Sequence, residues 1–451
     1  MSYYKDTIAA IATAPGRGGI GVVRVSGSNA YSIGKKITQE KLKPRITHYL
    51  AFWDISKQKI DQGIVIYFKG PNSFTGEDII EFQGHGGPIV LDLILNEVIK
   101  LGARMAEPGE FSQRAFLNNK IDLAQAEAIA DMIDASSEQA ARSALKSLQG
   151  DFSNSINDLV NKLIKLRIFV EASIDFPEEE IDFLSDKRIQ QGYDEIVENL
   201  SSVFVESKQG VLLREGINIV IAGKPNAGKS SLLNALSGKD SAIVTHVAGT
   251  TRDTLKESIQ INGVPLHIID TAGIRKSDDL IEKEGIKRAL KAISEADHIL
   301  MVCDITASES DNPESLLEQI IPLNDQPKNA DITYVMNKID LEHKQNKTKE
   351  NIIHISAKKS QGIEELKARI LQSVGFQNNS EGVFTARTRH IKAMELAQEH
   401  LNIARFHLEN MDGELLAEEL RLTQKALSQI TGSFSSDDLL SEIFSNFCIG
   451  K

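Results

Sequence analysis

With 451 residues, 41% of them hydrophobic and 25% charged, the chain has the composition of a globular protein too long for one ordinary core, and two or three domains are expected. Its net charge of −12 excludes a protein that coats nucleic acid nonspecifically, so any RNA contact needs a local basic patch or a basic partner. Two cysteines, Cys303 and Cys448, make neither a disulfide framework nor a zinc cluster and fit a reducing, cytoplasmic home, and no run of about eighteen uncharged apolar residues offers a membrane span.

Residues 7–15 (TIAAIATAP) imitate a secretory apolar region, but the stretch is short, Asp6 sits at its edge and no basic region precedes it; it reads as a buried strand. Residues 1–118 mix β-like runs with Gly-rich turns: GIGVVRVSG (19–27), GIVIYF (63–68) and IIEFQGHGG (79–87). An α+β domain is predicted. From about Lys120 the period changes. Ile156, Leu159, Val160, Leu163, Leu166 and Val170 recur at helical spacing, and long helices are expected over 119–213, broken near 175–180 by Pro177.

At Ile217 the pattern changes again. INIVIAG (217–223), LHIIDTAG (266–273), HILMVCD (298–304), ITYVMNKID (332–340) and IIHISA (352–357) are apolar runs separated by helical segments, which predicts a parallel sheet in an α/β domain over 216–376. Helical periodicity returns over 377–451. The simplest reading is a Ras-like P-loop domain inserted into one helical domain whose halves pack together; two separate helical domains are the alternative.

The motifs in the α/β segment carry the chemistry. Residues 223–230 (GKPNAGKS) form G-x-x-x-x-G-K-S between a strand and a helix. Backbone N–H groups of Asn226, Ala227 and Gly228, with Ser230 and Ser231 at the helix start, suit phosphate. Lys229 reaches the β- and γ-phosphates, and the Ser230 hydroxyl suits Mg²⁺. Asp270, Thr271, Ala272 and Gly273 (DTAG) end the second strand, where a carboxylate holds the magnesium shell and Gly273 senses the γ-phosphate. Thr251, after Thr250, is the candidate switch hydroxyl for Mg²⁺. Asn337, Lys338 and Asp340 (NKID) read the base: a carboxylate accepts two N–H bonds from guanine, and adenine offers a mismatched edge. Ser356, Ala357 and Lys358 close over that base. GTP and GDP are therefore the expected ligands.

Hydrolysis needs a water-orienting group. The position after the DTAG glycine is Ile274, which cannot hold a water, so Glu282 and Glu284 are the candidates; Glu284 reads as a solvated helix carboxylate. Arg252 and Arg275 lie nearby but no arginine finger is identifiable. A second route is K⁺ held by Asn226 and by the carbonyls of Thr245, Val247 and Thr250. The loop that carries those carbonyls also brings His246, Ala248 and Gly249 to the nucleotide.

Further motifs lie outside this domain: TAPGRGGIGVVRVSG (13–27), PNSFTGEDIIEFQGHGG (71–87), EPGEFSQRAFLNNKIDLAQAEAIADMI (107–133) and the final FCIGK (447–451). With them the chain resembles, over nearly its full length, the bacterial tRNA modification GTPase family MnmE, also called TrmE. The resemblance implies an N-terminal domain similar to the folate-binding domain of the glycine-cleavage T-protein, binding 5-formyl-tetrahydrofolate and mediating a homodimer. Folate contacts map onto Arg24, Glu81, Lys120 and Lys451. It implies a K⁺-stimulated G domain with Glu282 orienting the water. It also implies a flavin-dependent partner, MnmG, forming a heterotetramer that adds an aminomethyl or carboxymethylaminomethyl group to C5 of a tRNA wobble uridine. Read from chemistry alone, Arg24 and Lys120 could pair with glutamyl carboxylates or be surface charge. Glu81 could accept from a pterin or be a strand-end carboxylate. Cys448 could be a nucleophilic thiol or a small buried residue. The competing function is a GTPase switch for ribosome assembly or signalling, which shares the nucleotide motifs but lacks the N-terminal and tail motifs.

Overall fold

The computed structural model describes residues 6–175, 187–237, 256–270, 294, 296–307, 312–321, 327, 330–341, 351–376, 383–433, 440, 443–445 and 447–450. The chain divides into two compact units, one of residues 1–130, 148–193 and 396–451, the other of 131–147 and 194–395. Among the described residues no helix is long and apolar enough to cross a membrane.

The first unit is built on strands β1 (Ile8–Ile11) and β2 (Gly18–Ser26), helix α1 (Ala30–Thr38), strands β3 (Thr47–Trp53), β4 (Lys59–Phe68) and β5 (Ile79–Gly86), helix α2 (Pro88–Lys100), strand β6 (Arg104–Met105) and helices α3 (Glu110–Leu117) and α4 (Leu123–Ile133). Its six-stranded sheet runs β3-β4-β5-β2-β1-β6, antiparallel except for the β1–β6 pair. The period-2 alternation of β2 and β5 decides which residues go where. Val23, Val25, Ile80 and Phe82 point into the core closed by Ile33 and Ile37 of α1 and Ile94 and Val98 of α2. Arg24 and Glu81, one step out of phase and directly opposite in register, point to the other face. There Phe111 of α3 packs with Ile8 and Ala10 of β1. The wholly buried Arg114 of α3 is ion-paired to Asp6, Glu77 and Glu110, which fixes α3 against the sheet. The short helix α3 thus precedes the change of period at Lys120, held by the Arg114–carboxylate cluster together with the buried Phe111 and Ala115.

Three further helices follow: α5 (Glu138–Gln149), α6 (Asp151–Asp175) and α7 (Lys187–Glu215). Of the apolar residues spaced along α6, Ile156, Leu159, Leu163, Leu166 and Val170 are buried. The expected break at Pro177 lies outside the described residues.

The second unit continues with β7 (Ile217–Ala222), α8 (Lys229–Ser237), β8 (Lys256–Ile261), β9 (Val264–Asp270), β10 (His298–Asp304), α9 (Pro313–Ile320), β11 (Asp331–Asn337), β12 (Ile352–His354) and α10 (Ile363–Ser373). The sheet order is β12-β11-β10-β7-β9-β8, parallel except for β8. Ile219, Ile221, Leu300 and Val302 face a core with Leu232 of α8 and Leu366 of α10. Val220, Ala222, Met301 and Cys303 face the opposite core with Leu316 and Leu317 of α9. Both faces are covered, so the parallel strands read as continuous apolar runs. The antiparallel edge strand β8 is not among the sequence's apolar runs. Its signal is the Asn262–Gly263 turn, with φ of 49° and 79°, which folds the KESIQI segment back onto β9.

After α11 (Thr388–Glu409), α12 (Gly413–Thr431) returns to the first unit and packs on α6, where the Arg167 guanidinium donates to Gln424 Oε1 at 2.6 Å.

Candidate nucleotide site

The phosphate loop joins the buried β7 to α8, whose first residue is Lys229. Two glycines are needed there for separate reasons. A Cβ on Gly223, at φ 155°, would lie 2.5 Å from the Val302 carbonyl oxygen of the neighbouring strand. A Cβ on Gly228, at φ 98°, would collide with the amide nitrogen of Asn337. Asn226 takes a left-handed conformation at φ 65° and is exposed, which turns the chain while leaving its amide in solvent. Lys229 Nζ spans the loop, donating to the carbonyls of Gly223 at 2.8 Å and Lys224 at 3.2 Å. Ser230 and Ser231 lie in the first turn of α8, where the free N–H groups and the helix dipole favour an anion.

The loops expected to read the base converge on the same end of the sheet. Asn337, 3% exposed, ends β11 and uses its whole amide. Nδ2 donates to the Ala227 carbonyl at 2.9 Å, and Oδ1 accepts from the N–H groups of Ala357 at 3.0 Å and Lys338 at 2.8 Å. One buried side chain therefore ties the phosphate loop to both base-side loops. Asp340 Oδ1 accepts from the Ser356 hydroxyl at 2.7 Å, and that bond is the main reason its carboxyl is held below the usual carboxylate range. The second oxygen stays available as an acceptor. Ser356 is itself fixed by a backbone bridge to Gln361. Lys358 is exposed beside it.

The sequence motifs do not reveal Asp304. This carboxylate ends β10 and holds Lys338 Nζ at 2.5 Å, with the Thr306 N–H and hydroxyl on its other oxygen at 3.0 and 2.7 Å. Burial pushes it up, but these bonds outweigh that and keep it below the usual range. Lys338 sits at φ 71°, so the pair fixes a strained loop residue. A carboxylate at the end of a parallel strand is the only signal that could have found it.

In the first unit, Arg24 Nε donates to Glu81 Oε1 at 2.9 Å, so the two residues first satisfy each other. The Arg24 guanidinium also lies 5.7 Å from the Phe111 ring and 6.0 Å from the Phe74 ring, and its Nη1 donates to the Gly450 carbonyl at 3.4 Å. The tail reaches this place because Phe444 and Phe447 pack beside Leu123 and Ala126 of α4, and because the Gly109 N–H donates to the Cys448 carbonyl at 3.3 Å. Gly450 is at φ 97°, where a Cβ would stand 2.5 Å from the Ile11 carbonyl. Lys120 is exposed and donates to the Pro71 carbonyl at 3.0 Å, on the same loop that carries Phe74. Cys448 is exposed, which removes the buried-residue reading of that thiol.

A family model for the MnmE helical domain matches residues 123–448, and one for the GTP-binding protein TrmE N-terminus matches residues 7–120. Over 451 residues, the full length of both chains, the sequence is 58% identical to the tRNA modification GTPase MnmE of Francisella tularensis subsp. tularensis (strain WY96-3418). It is 57% identical, again over full length, to the one of Francisella philomiragia subsp. philomiragia (strain ATCC 25017). The chain belongs to the MnmE family of tRNA modification GTPases. Among solved structures, the G domain of the T. maritima FeoB iron transporter aligns with 35% of the chain and 98% of its own length, at 24% identity and a TM-score of 0.27.

In this MnmE-family chain the described residues bring together Asn226, Ala227, Gly228, Lys229, Asn337, Lys338, Asp340, Ser356 and Ala357 around one loop cluster, and Arg24, Glu81 and the tail around another. Thr245, His246, Val247, Ala248, Gly249, Thr250, Thr251, Thr271, Ala272, Gly273, Glu282 and Lys451 lie outside the described residues, as do Arg252, Ile274, Arg275 and Glu284. Asp270 is described as the last residue of β9.

Proposed function

We propose that this MnmE-family chain hydrolyses GTP at the loop cluster around Asn337 and couples hydrolysis to modification of tRNA. With a flavin-dependent partner, MnmG, in a heterotetramer, it adds an aminomethyl or carboxymethylaminomethyl group to C5 of the wobble uridine, drawing a one-carbon unit from a formyl-tetrahydrofolate. The observation that carries the nucleotide reading is the Asn337 side chain, whose three hydrogen bonds hold the phosphate loop and the base loops as one receptor.

The chain's own groups divide the work. The amides of residues 226–231 bind phosphate oxygens, and Lys229 turns from the Gly223 carbonyl to the β- and γ-phosphates. Asp340, oriented by Ser356, accepts the two N–H bonds of guanine. Glu282 orients the attacking water in place of the missing glutamine. Ser230, with its hydroxyl at a helix N-terminus, and Thr251 would hold Mg²⁺. Asn226, with its exposed amide, and the carbonyls of Thr245, Val247 and Thr250 would hold K⁺. Both ions supply positive charge to the phosphates. At the second cluster Arg24, Glu81, Lys120 and Lys451 would hold the folate, for which the exposed Phe74 ring and the paired Arg24–Glu81 edge form a suitable wall. The chain acts as a homodimer through its N-terminal domain.

The test is nucleotide turnover by the full chain in KCl and in NaCl at equal ionic strength. GTP is hydrolysed several-fold faster in K⁺, ATP is not hydrolysed, and Glu282→Ala lowers turnover with little loss of GTP affinity. A single positive charge at the phosphates is worth roughly 10³–10⁵-fold when an arginine supplies it. Hydrolysis of ATP as fast as GTP would overturn the reading.

A further inference from the structure

The chain carries a net charge of −12, yet residues 35–69 hold eight lysines and arginines against three carboxylates. The fold sorts these charges. Two of the three carboxylates are engaged by backbone N–H groups. Asp61 accepts from the His85 N–H and ring at 2.8 Å each, and Asp54 accepts from the Gln58 N–H at 2.7 Å. From α2, the buried Glu97 accepts from the Ile55 N–H at 2.8 Å and pairs with Lys100. The cations are turned outward. Lys35 and Lys36 stand on the last turn of α1, whose apolar residues Ile33 and Ile37 are in the core. In the loop that follows, Leu42 is buried while Lys41, Lys43 and Arg45 are exposed. The β3–β4 turn then places Lys57, at φ 61°, so that it lines one groove with Lys36 and the half-buried Trp53. Among the described residues no carboxylate forms an ion pair with any of these six cations.

We propose that this edge of the first unit, formed by the end of α1, the loop after it and the β3–β4 turn, holds an RNA backbone, that of the tRNA in the function proposed above, on which the inference rests. A row of cations without carboxylate partners on an otherwise acidic chain is what a polyanion requires, because each phosphate neutralised releases a counterion. RNA is favoured over a lipid surface because the apolar face of α1 is consumed by the core, and the exposed Ile46 and Ile55 at this edge are separate side chains rather than a continuous apolar face that could enter a bilayer. RNA is also favoured by aromatic side chains beside the cations. Trp53 lines the groove, and Tyr49, 69% exposed, stands on β3 at the edge of the sheet, where it offers a stacking face to an unpaired base.

The experiment measures binding of fluorescently labelled tRNA to the full chain over a range of KCl concentrations. The triple variant Lys36→Ala/Lys43→Ala/Lys57→Ala is compared with a control triple, Lys392→Ala/Arg405→Ala/Lys425→Ala. Each phosphate that is no longer neutralised lowers the slope of log affinity against log salt by roughly 0.7–0.9. The first triple therefore flattens the slope by about two and weakens binding at low salt by at least about tenfold. The control triple changes neither. GTP turnover and melting temperature stay at the wild-type values in both, which separates loss of the surface from loss of the fold. Unchanged tRNA affinity and slope in the first triple would overturn the proposal. So would loss of binding to phosphatidylserine vesicles with tRNA binding intact. If the wild-type chain binds no tRNA but restores wobble modification in cells, the surface assignment falls and the functional reading stands.

Discussion

The Asn337 side-chain amide donates to the Ala227 backbone carbonyl at 2.9 Å, a bond between residues 110 positions apart that joins the base-reading loop to the phosphate loop. The loops proposed to recognise guanine and phosphate are therefore one mechanical unit. Asn337→Ala removes this bond and strips acceptors from the Lys338 and Ala357 N–H groups. Each buried group left unsatisfied costs about 1–3 kcal/mol. GDP affinity, measured by calorimetry, falls by at least about tenfold. Affinity unchanged within twofold would contradict the role given to Asn337.

In the proposed function Asp340 carries the choice of base. Asp340→Asn converts one acceptor into a donor, so the two charge-assisted bonds to guanine are weakened or broken. GTP binding weakens by at least about tenfold, and xanthine nucleotides, which present a carbonyl where guanine presents an amine, gain relative affinity. Competition between the two diphosphates reads this directly. An unchanged guanine preference would show that another group reads the base.

His298 gives the second unit a pH signature. It is 0% exposed, with Nε2 3.0 Å from the Thr333 hydroxyl and Nδ1 2.8 Å from the Ser373 hydroxyl. Burial pushes its pKa down to about 4, against an opposing pull from Asp331, and Arg369 lowers it further. The unfolded chain, with an ordinary value of about 6.5, takes up the proton first. Stability is therefore whole above about pH 6.5 and is lost as the pH falls from there towards 4, on the order of 3 kcal/mol over the full window. Urea midpoints at pH 7.5 and pH 5 read the loss, and His298→Gln flattens it. Equal pH dependence in the two proteins would contradict the assignment.

Contiguous motifs were legible in the sequence, and contacts across the sheet were not. The glycines of the phosphate loop and Asp340 stand in patterns only a few residues long, set by the short reach of backbone to phosphate and carboxylate to base. The parallel strands were legible because each is buried on both faces and therefore uniformly apolar. Asn337's bond to Ala227 and the hold of Asp304 on Lys338 depend on which strands lie side by side, and no local spacing encodes that order. Strand β8 escaped because its alternating Ile259 and Ile261 are diluted by Lys256, Glu257 and Gln260. Helix α3 lies before the helical periodicity that starts near Lys120, and the burial of its Arg114 among Asp6 and Glu77 is a long-range contact that local spacing does not encode.

In the proposed function the tail is separable from GTP turnover. Phe447 is buried, and the segment beyond it reaches Arg24 through the Gly450 carbonyl. Deleting residues 448–451 leaves GTP turnover within about twofold of the full chain, since the deleted groups lie outside the G unit's core, and abolishes wobble modification. Cys448→Ser then separates the thiol from the position of the chain end. Loss of GTP turnover in the deletion would make the tail a folding element and remove the support for Lys451 as a folate contact.

The most direct test of the whole account is the mass-spectrometric profile of wobble nucleosides in cells that lack the endogenous activity and are supplied with this chain or with Lys229→Ala. The chain restores the C5-substituted uridine, and Lys229→Ala, present at equal abundance, leaves the uridine bare. Full restoration by Lys229→Ala would contradict the claim that GTP hydrolysis at this loop drives the modification.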